Sequence, residues 1–207
     1  MKKLIPSLGF MVLLATSIQA QTDFGLKAGI NFPSYSFADS ENISDVQPRT
    51  SFHLTGYLDA RIAPWLYLHP EVSLQGKGAK IIESQILGGA EVIQRTMWLD
   101  FPFNFLGKVP IGDVGNVFAG TGPYIGFSMN GENTYASGST SAMIIYKDNA
   151  MKSVDYGINF LTGVKWSRFS LNVNYRLGLA NITNSTYKWS DDIKNRVFSL
   201  GIGVSLL

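Results

Sequence analysis

Residues 23–32 read DFGLKAGINF, and the order of side chains in this stretch decides the fold. Phe24, Leu26, Ala28, Ile30 and Phe32 alternate with Asp23, Gly25, Lys27, Gly29 and Asn31. Successive side chains leave a strand on opposite sides, so a period of two predicts a strand with one apolar and one polar face.

The pattern recurs along the chain. Phe52, Leu54, Gly56, Leu58, Ala60 and Ile62 stand against Ser51, His53, Thr55, Tyr57, Asp59 and Arg61. Leu66, Leu68, Pro70, Val72 and Leu74 stand against Tyr67, His69, Glu71, Ser73 and Gln75. A fourth stretch covers 93–104, a fifth 117–129, a sixth 156–166, a seventh 169–179 and an eighth 198–206. Strands of about ten residues suit a tilted crossing of a bilayer. The connections alternate too. Segments 33–50, 76–92, 130–152 and 180–196 are long and rich in Ser, Asn, Gly and Asp, whereas Ala63-Pro64-Trp65, roughly 105–115 and Ser167-Arg168 are short. These features predict an all-β, eight-stranded, antiparallel, up-and-down transmembrane β-barrel, with short turns and both termini on the periplasmic side. Pro70, Pro102 and Pro123 are expected at bulges or strand ends, because proline cannot donate to a sheet ladder.

The N-terminus agrees with export. Lys2-Lys3, an apolar run over 4–18 and the small residue Ala20 predict a cleaved signal peptide over 1–20, leaving one barrel domain over 21–207. The absence of cysteine removes disulfides, thiolate metal sites and thiol nucleophiles from consideration. Charged residues make up 15% of the chain, against about 25% in soluble domains. A net charge of +2 is too small to suggest nucleic acid as a partner.

Alternation alone does not say which face meets lipid. Arg95 is the one charged residue on the apolar faces, so these faces are expected to point outward into outer-membrane lipid. The polar faces then line the lumen. They bring together Lys27, His53, Tyr57, Asp59, Arg61, His69, Glu71, Lys77, Asp100, Asp155, Lys165 and Arg176 as a nearly neutral structural network. Hairpin register adds detail, because paired residues share a face. The turn at 63–65 places Arg61 opposite Tyr67, Asp59 opposite His69 and Tyr57 opposite Glu71. The turn at Ser167-Arg168 places Lys165 opposite Ser170 and Asn159 opposite Arg176.

Several stretches resemble the PorT-like, outer membrane protein β-barrel family: GLKAGINF at 25–32, HPEVSLQGKGAK at 69–80, WLDFPF at 98–103, AGTGPYIGF at 119–127, DYGINFLTGV at 155–164 and YRLGLANI at 175–182. The resemblance covers essentially all of 22–207. It implies a small eight-stranded outer-membrane barrel, in a family with one branch linked to secretion and gliding machinery. The chain departs from the usual barrel-assembly signal, because it ends in Leu207 and not in an aromatic residue.

No catalytic, cofactor or metal site is expected. Asp59 could orient the His69 imidazole as a catalytic carboxylate does, and His53 shares its face with Ser51 and Ser73, but structural hydrogen bonding accounts for both. Gly120-Thr121-Gly122 lacks the following helix and Lys-Ser/Thr of a phosphate loop. Asp191-Asp192 with Asn195 reads as a solvated loop before it reads as a calcium site. The expected function is a structural or interaction barrel that meets an envelope or surface partner through 33–50, 76–92, 130–152 and 180–196. The apolar run Met143-Ile144-Ile145-Tyr146 reads as a strand extension. A membrane-embedded lipid-modifying enzyme and a small-solute pore are the alternatives, and the bulk of the lumen side chains speaks against the pore.

Overall fold

A computed structural model describes residues 22–37, 43–83, 91–113, 115–135, 152–183 and 192–206. The expected signal peptide, most of 130–152 including Met143-Ile144-Ile145-Tyr146, Asp191 and Leu207 lie outside the described residues.

The described chain forms ten strands: β1 (Thr22–Phe37), β2 (Ile43–Pro48), β3 (Ser51–Arg61), β4 (Leu66–Lys77), β5 (Ala79–Glu83), β6 (Glu91–Ile111), β7 (Gly115–Tyr135), β8 (Val154–Trp166), β9 (Phe169–Gly178) and β10 (Ile193–Ser205). Eight of them close a ring in the order β6-β4-β3-β1-β10-β9-β8-β7, with β7 returning to β6. Every pairing is antiparallel. The fold is therefore a closed eight-stranded barrel. The two additional strands continue wall strands outward. β5 follows β4 across Gly78, whose φ of 128° suits glycine, and both pair with β6 in one register. β2 precedes β3 across Arg49-Thr50 and pairs with β5.

Closure fixes the geometry. Paired residues lead from Thr22 through Ala60, Leu68, Phe105, Thr121, Phe160, Tyr175 and Phe198 back to β1 at Phe32, ten residues further along. With strands about 4.8 Å apart and a rise of about 3.3 Å per residue, that stagger tilts them by about 40° and gives a wall of about 8 Å radius. A tube this narrow has room for its own side chains and little else.

The apolar face points outward. Phe24, Leu26, Ile30, Phe52, Leu54, Leu58, Leu200 and Ile202 are exposed, while Lys27, Asn31, His53, Asp100 and Arg176 are buried. Inward glycines accommodate the larger lumen side chains. A Cβ on Gly25 would lie 2.4 Å from the Tyr57 hydroxyl, and one on Gly163 would lie 2.6 Å from the Phe118 ring.

The long connections are shorter than expected. β1 runs on to Phe37, β2 and β5 occupy parts of 33–50 and 76–92, and β7 extends to Tyr135. The segment expected as a turn over 105–115 is mostly strand, with β6 reaching Ile111 and the chain reversing at Gly112, where φ is 60°. The prolines also depart from expectation. Pro70, Pro102 and Pro123 sit inside β4, β6 and β7 opposite Phe103, Tyr124 and Ile158, with no register change beside them. Among the described pairings, shifts occur at Ile43/Asp45 and Met97/Trp98. The second leaves Met129 as an extra residue on β7.

Candidate functional site

The lumen is built from the inward positions of all eight wall strands, and its charged groups alternate in sign along a connected path. At the long-hairpin end, Lys77 lies 3.1 Å from Asp155 and 3.0 Å from Asp100. Arg176 from β9 lies 3.7 Å from both Asp100 and Glu71. Lys27 donates to Glu71 Oε1 at 2.5 Å, and His69 Nε2 lies 3.1 Å from both of these groups. His69 Nδ1 is 3.5 Å from Asp59, which pairs with Lys108. Four carboxylates, Asp155, Asp100, Glu71 and Asp59, thus interleave with Lys77, Arg176, Lys27 and Lys108. Charges this deep are tolerated because each has an opposite charge close by.

Neutral side chains fill the spaces between. Tyr124 donates to Asp155 Oδ2 at 3.1 Å and Asn195 donates to the same oxygen at 2.8 Å. The Tyr57 and His69 rings stack 4.9 Å apart, and the Lys77 ammonium lies 4.8 Å from the centre of the Trp98 ring. Thr55 and Ser73 share a hydrogen bond, Gln75 donates to Ser73, and Asn159 donates to Asn104. Towards the short turns, Leu106, Phe118 and Leu161 form an apolar cluster inside the tube, flanked by Tyr67. Below it, Lys165 donates to Asp23 at 2.5 Å and to Ser205 at 3.1 Å, joining β8 to the first and last strands.

Most residues expected in the lumen are brought together there. Lys27, His53, Tyr57, Asp59, His69, Glu71, Lys77, Asp100, Asp155 and Arg176 are buried, and Lys165 is partly buried at the mouth. Arg61 departs from expectation. Its side chain is exposed and donates to the Ala63 and Pro64 carbonyls, capping the turn beyond the lumen. The pairs Arg61–Tyr67, Tyr57–Glu71, Lys165–Ser170 and Asn159–Arg176 face each other in the wall. Asp59 and His69 hold the matching positions and point to the same side, as their contact requires.

Lys108 is the lumen residue that the sequence reading missed. The outward series Phe101, Phe103, Phe105, Val109 and Ile111 marks 102, 104, 106 and 108 as inward, and extending the alternation past Asn104 identifies it. Both histidines are held within the lumen network. His53 Nδ1 lies 2.8 Å from Asn31 Oδ1, and the His69 ring is occupied by Asp59, Glu71, Lys27 and Tyr57. Asp192 forms an ion pair with Lys194 at 3.0 Å. Among the described residues no group of acidic, His or Cys side chains is placed to hold a metal ion.

A closed antiparallel wall with an apolar exterior and a charged, packed interior defines a β-barrel of the membrane-spanning class. The model of the outer membrane protein beta-barrel domain matches residues 19–184, and the chain belongs to that family. It is an outer-membrane protein. No curated protein matches its sequence. Solved structures similar to it include Ail, the attachment invasion locus protein of Yersinia pestis, at 8% identity over 90% of this chain and 100% of that one, with a TM-score of 0.45. Neisserial surface protein A is 13% identical over 89% of this chain and 99% of that one, with a TM-score of 0.46. OprG from Pseudomonas aeruginosa is 13% identical over 89% of this chain and 95% of that one, also with a TM-score of 0.46.

Proposed function

We propose that this protein is a non-conducting outer-membrane barrel that serves as a structural or interaction component of the envelope, meeting its partner through the hairpins that project from the wall. The observation that carries this reading is the obstructed lumen. An alternating series of carboxylates and cations fills the tube from Asp155 to Lys108, and the Leu106–Phe118–Leu161 cluster lies across it. Passage of a solute would require ion pairs with side-chain exposures of 12% or less to separate. The wall is a closed, continuously paired ring, and some strands run on beyond it. β6 and β7 continue as a paired ribbon to Val92 and Tyr135, and β2 with β5 lies beside it. The alternation of long and short connections favours a short-turn end that faces the periplasm and is accessible to an envelope complex.

Purified barrel inserted into planar bilayers tests the reading. The expected result is a silent membrane under applied voltage, and reproducible single-channel steps would overturn it. Crosslinking from cysteines placed in the projecting hairpins, in intact cells, then identifies the partner.

A further inference from the structure

A small cavity lies inside the tube towards the short-turn end. Tyr57, Asp59, His69 and Ser170 border it, and Leu106 and Phe118 of the apolar cluster form part of its wall. Its volume is about 20 Å³. A water molecule needs about 10–15 Å³ by the same measure, so the space suits one water and no larger solute.

Two polar atoms of its lining residues, Asp59 Oδ1 and His69 Nδ1, have no hydrogen-bond partner in the protein. Both residues are 4% exposed. The two atoms stand 3.5 Å apart, beyond the usual length of a hydrogen bond between them. The rest of each side chain is engaged. Asp59 Oδ2 accepts from Lys108, and His69 Nε2 faces Lys27 and Glu71. A buried carboxylate oxygen without a donor carries a desolvation cost that a small ligand relieves.

The charge of the lining decides what that ligand is. Lys27, Lys108 and Lys165 also border the cavity, which disfavours a cation. Each lysine already has a carboxylate, Glu71, Asp59 and Asp23 respectively, so no positive charge is left over for an anion. An anion would also stand against Asp59 Oδ1. Water donates to a carboxylate and takes either role towards an imidazole nitrogen, so it satisfies both atoms whichever tautomer the ring holds. Solvent approaches from the short-turn end. The side chains of Lys108, Lys165 and Asp23 are 12%, 19% and 22% exposed there, whereas those of Lys77 and Asp100 towards the other end are fully buried.

We propose that this cavity is a binding site for a single water molecule, admitted from the short-turn end, that bridges Asp59 Oδ1 and His69 Nδ1. The bridge completes the charge network at that end and hydrates His69 without opening a path through the tube.

Water-edited solid-state NMR of the full barrel in lipid vesicles tests this through the imidazole rings. The chain has two histidines, and His53 serves as the internal reference. Its Nδ1 lies 2.8 Å from Asn31 Oδ1, and it does not line the cavity. Magnetisation from water is expected to reach the His69 ring several-fold faster than the His53 ring. Ser170→Val places two methyl groups in the cavity and is expected to abolish the transfer to His69, while Ser170→Ala leaves the space open and keeps it. Transfer to His69 no faster than to His53 in the wild type overturns the proposal, as does undiminished transfer in Ser170→Val. Loss in Ser170→Ala overturns it too, because the serine hydroxyl would then be the source. Crystals soaked in bromide distinguish the ligand. Solvent density between Asp59 and His69 without an anomalous peak agrees with water, and an anomalous peak there would identify a halide site and refute the assignment. The heat-modifiable gel shift reports that each variant still folds, and the wild-type and bromide experiments need no variant.

Discussion

Replacing Glu71 with Gln tests the lumen network where it is most connected. The carboxylate accepts from Lys27 at 2.5 Å, lies 3.1 Å from His69 and stands 3.7 Å from Arg176. The amide keeps the shape and removes the charge. Arg176 retains Asp100 at 3.7 Å, so its compensation is only partly lost. Lys27 keeps its contact with the His69 imidazole, which supplies no negative charge. One buried cation therefore loses its counter-ion, a loss that costs about 3–5 kcal/mol when one member of a buried pair is removed. That is more than a hundredfold in the folding equilibrium, at about 1.4 kcal/mol per factor of ten. The double variant Lys27→Met/Glu71→Gln removes both charges at similar volume and is expected within about 1.5 kcal/mol of wild type. Urea titration in lipid vesicles, equilibrated from both directions and followed by tryptophan fluorescence, measures all three proteins. If the single variant loses less than about 1 kcal/mol, or the double variant is no more stable than the single, Glu71 does not balance Lys27 and the reasoning fails.

Two further outcomes follow from the wall and its orientation. Leu200→Arg, on the outward face in the middle of the β10 wall segment, is expected to cost about 2–4 kcal/mol, while Phe169→Arg beside the Ser167-Arg168 turn costs about 0–1 kcal/mol. Equal costs in the same urea assay would mean that the apolar belt is misplaced. Because the chain has no native cysteine, single substitutions report topology without background. Asn130→Cys is expected to react with a membrane-impermeant maleimide on intact cells, and Asp113→Cys only after the outer membrane is permeabilised. The reverse pattern would invert the orientation.

The sequence was most informative where one face of a strand meets lipid and the other meets the lumen. There, every second residue is constrained, so DFGLKAGINF and its counterparts reveal both the strands and their faces. The short turns at 63–65 and 167–168 left little freedom in pairing, which made the Tyr57–Glu71 and Asn159–Arg176 registers legible. Beyond the membrane that constraint lapses. β2 (ISDVQP) and β5 (AKIIE) are short and carry no strict alternation of apolar and polar residues, and the Asn and Gly of β7 beyond Met129 look the same in a loop as in a strand. Gly107 and Pro110 resemble turn punctuation, so β6 seemed to end early and Lys108 was lost with its tail. Arg61 kept the inward parity of its strand, but it stands at the rim, where a long side chain reaches carbonyls in the turn. The prolines were misjudged as markers of bulges, because parity says nothing about which amides a neighbouring strand uses.

The contact of Lys165 with Asp23 and Ser205 has a consequence for the order of biogenesis. Asp23 lies on the first wall strand and Ser205 on the last, so this clasp forms only after the whole chain has emerged. Asn195, which serves Asp155, arrives with the same final strand. A polypeptide halted before Ile193 carries seven wall strands, two open edges and lumen charges still in water. The closing strand both seals the ring and dehydrates its contents. Insertion should therefore behave as a single commitment made at the C-terminus, and shortened chains should fall to envelope proteases as a class and not accumulate as smaller barrels.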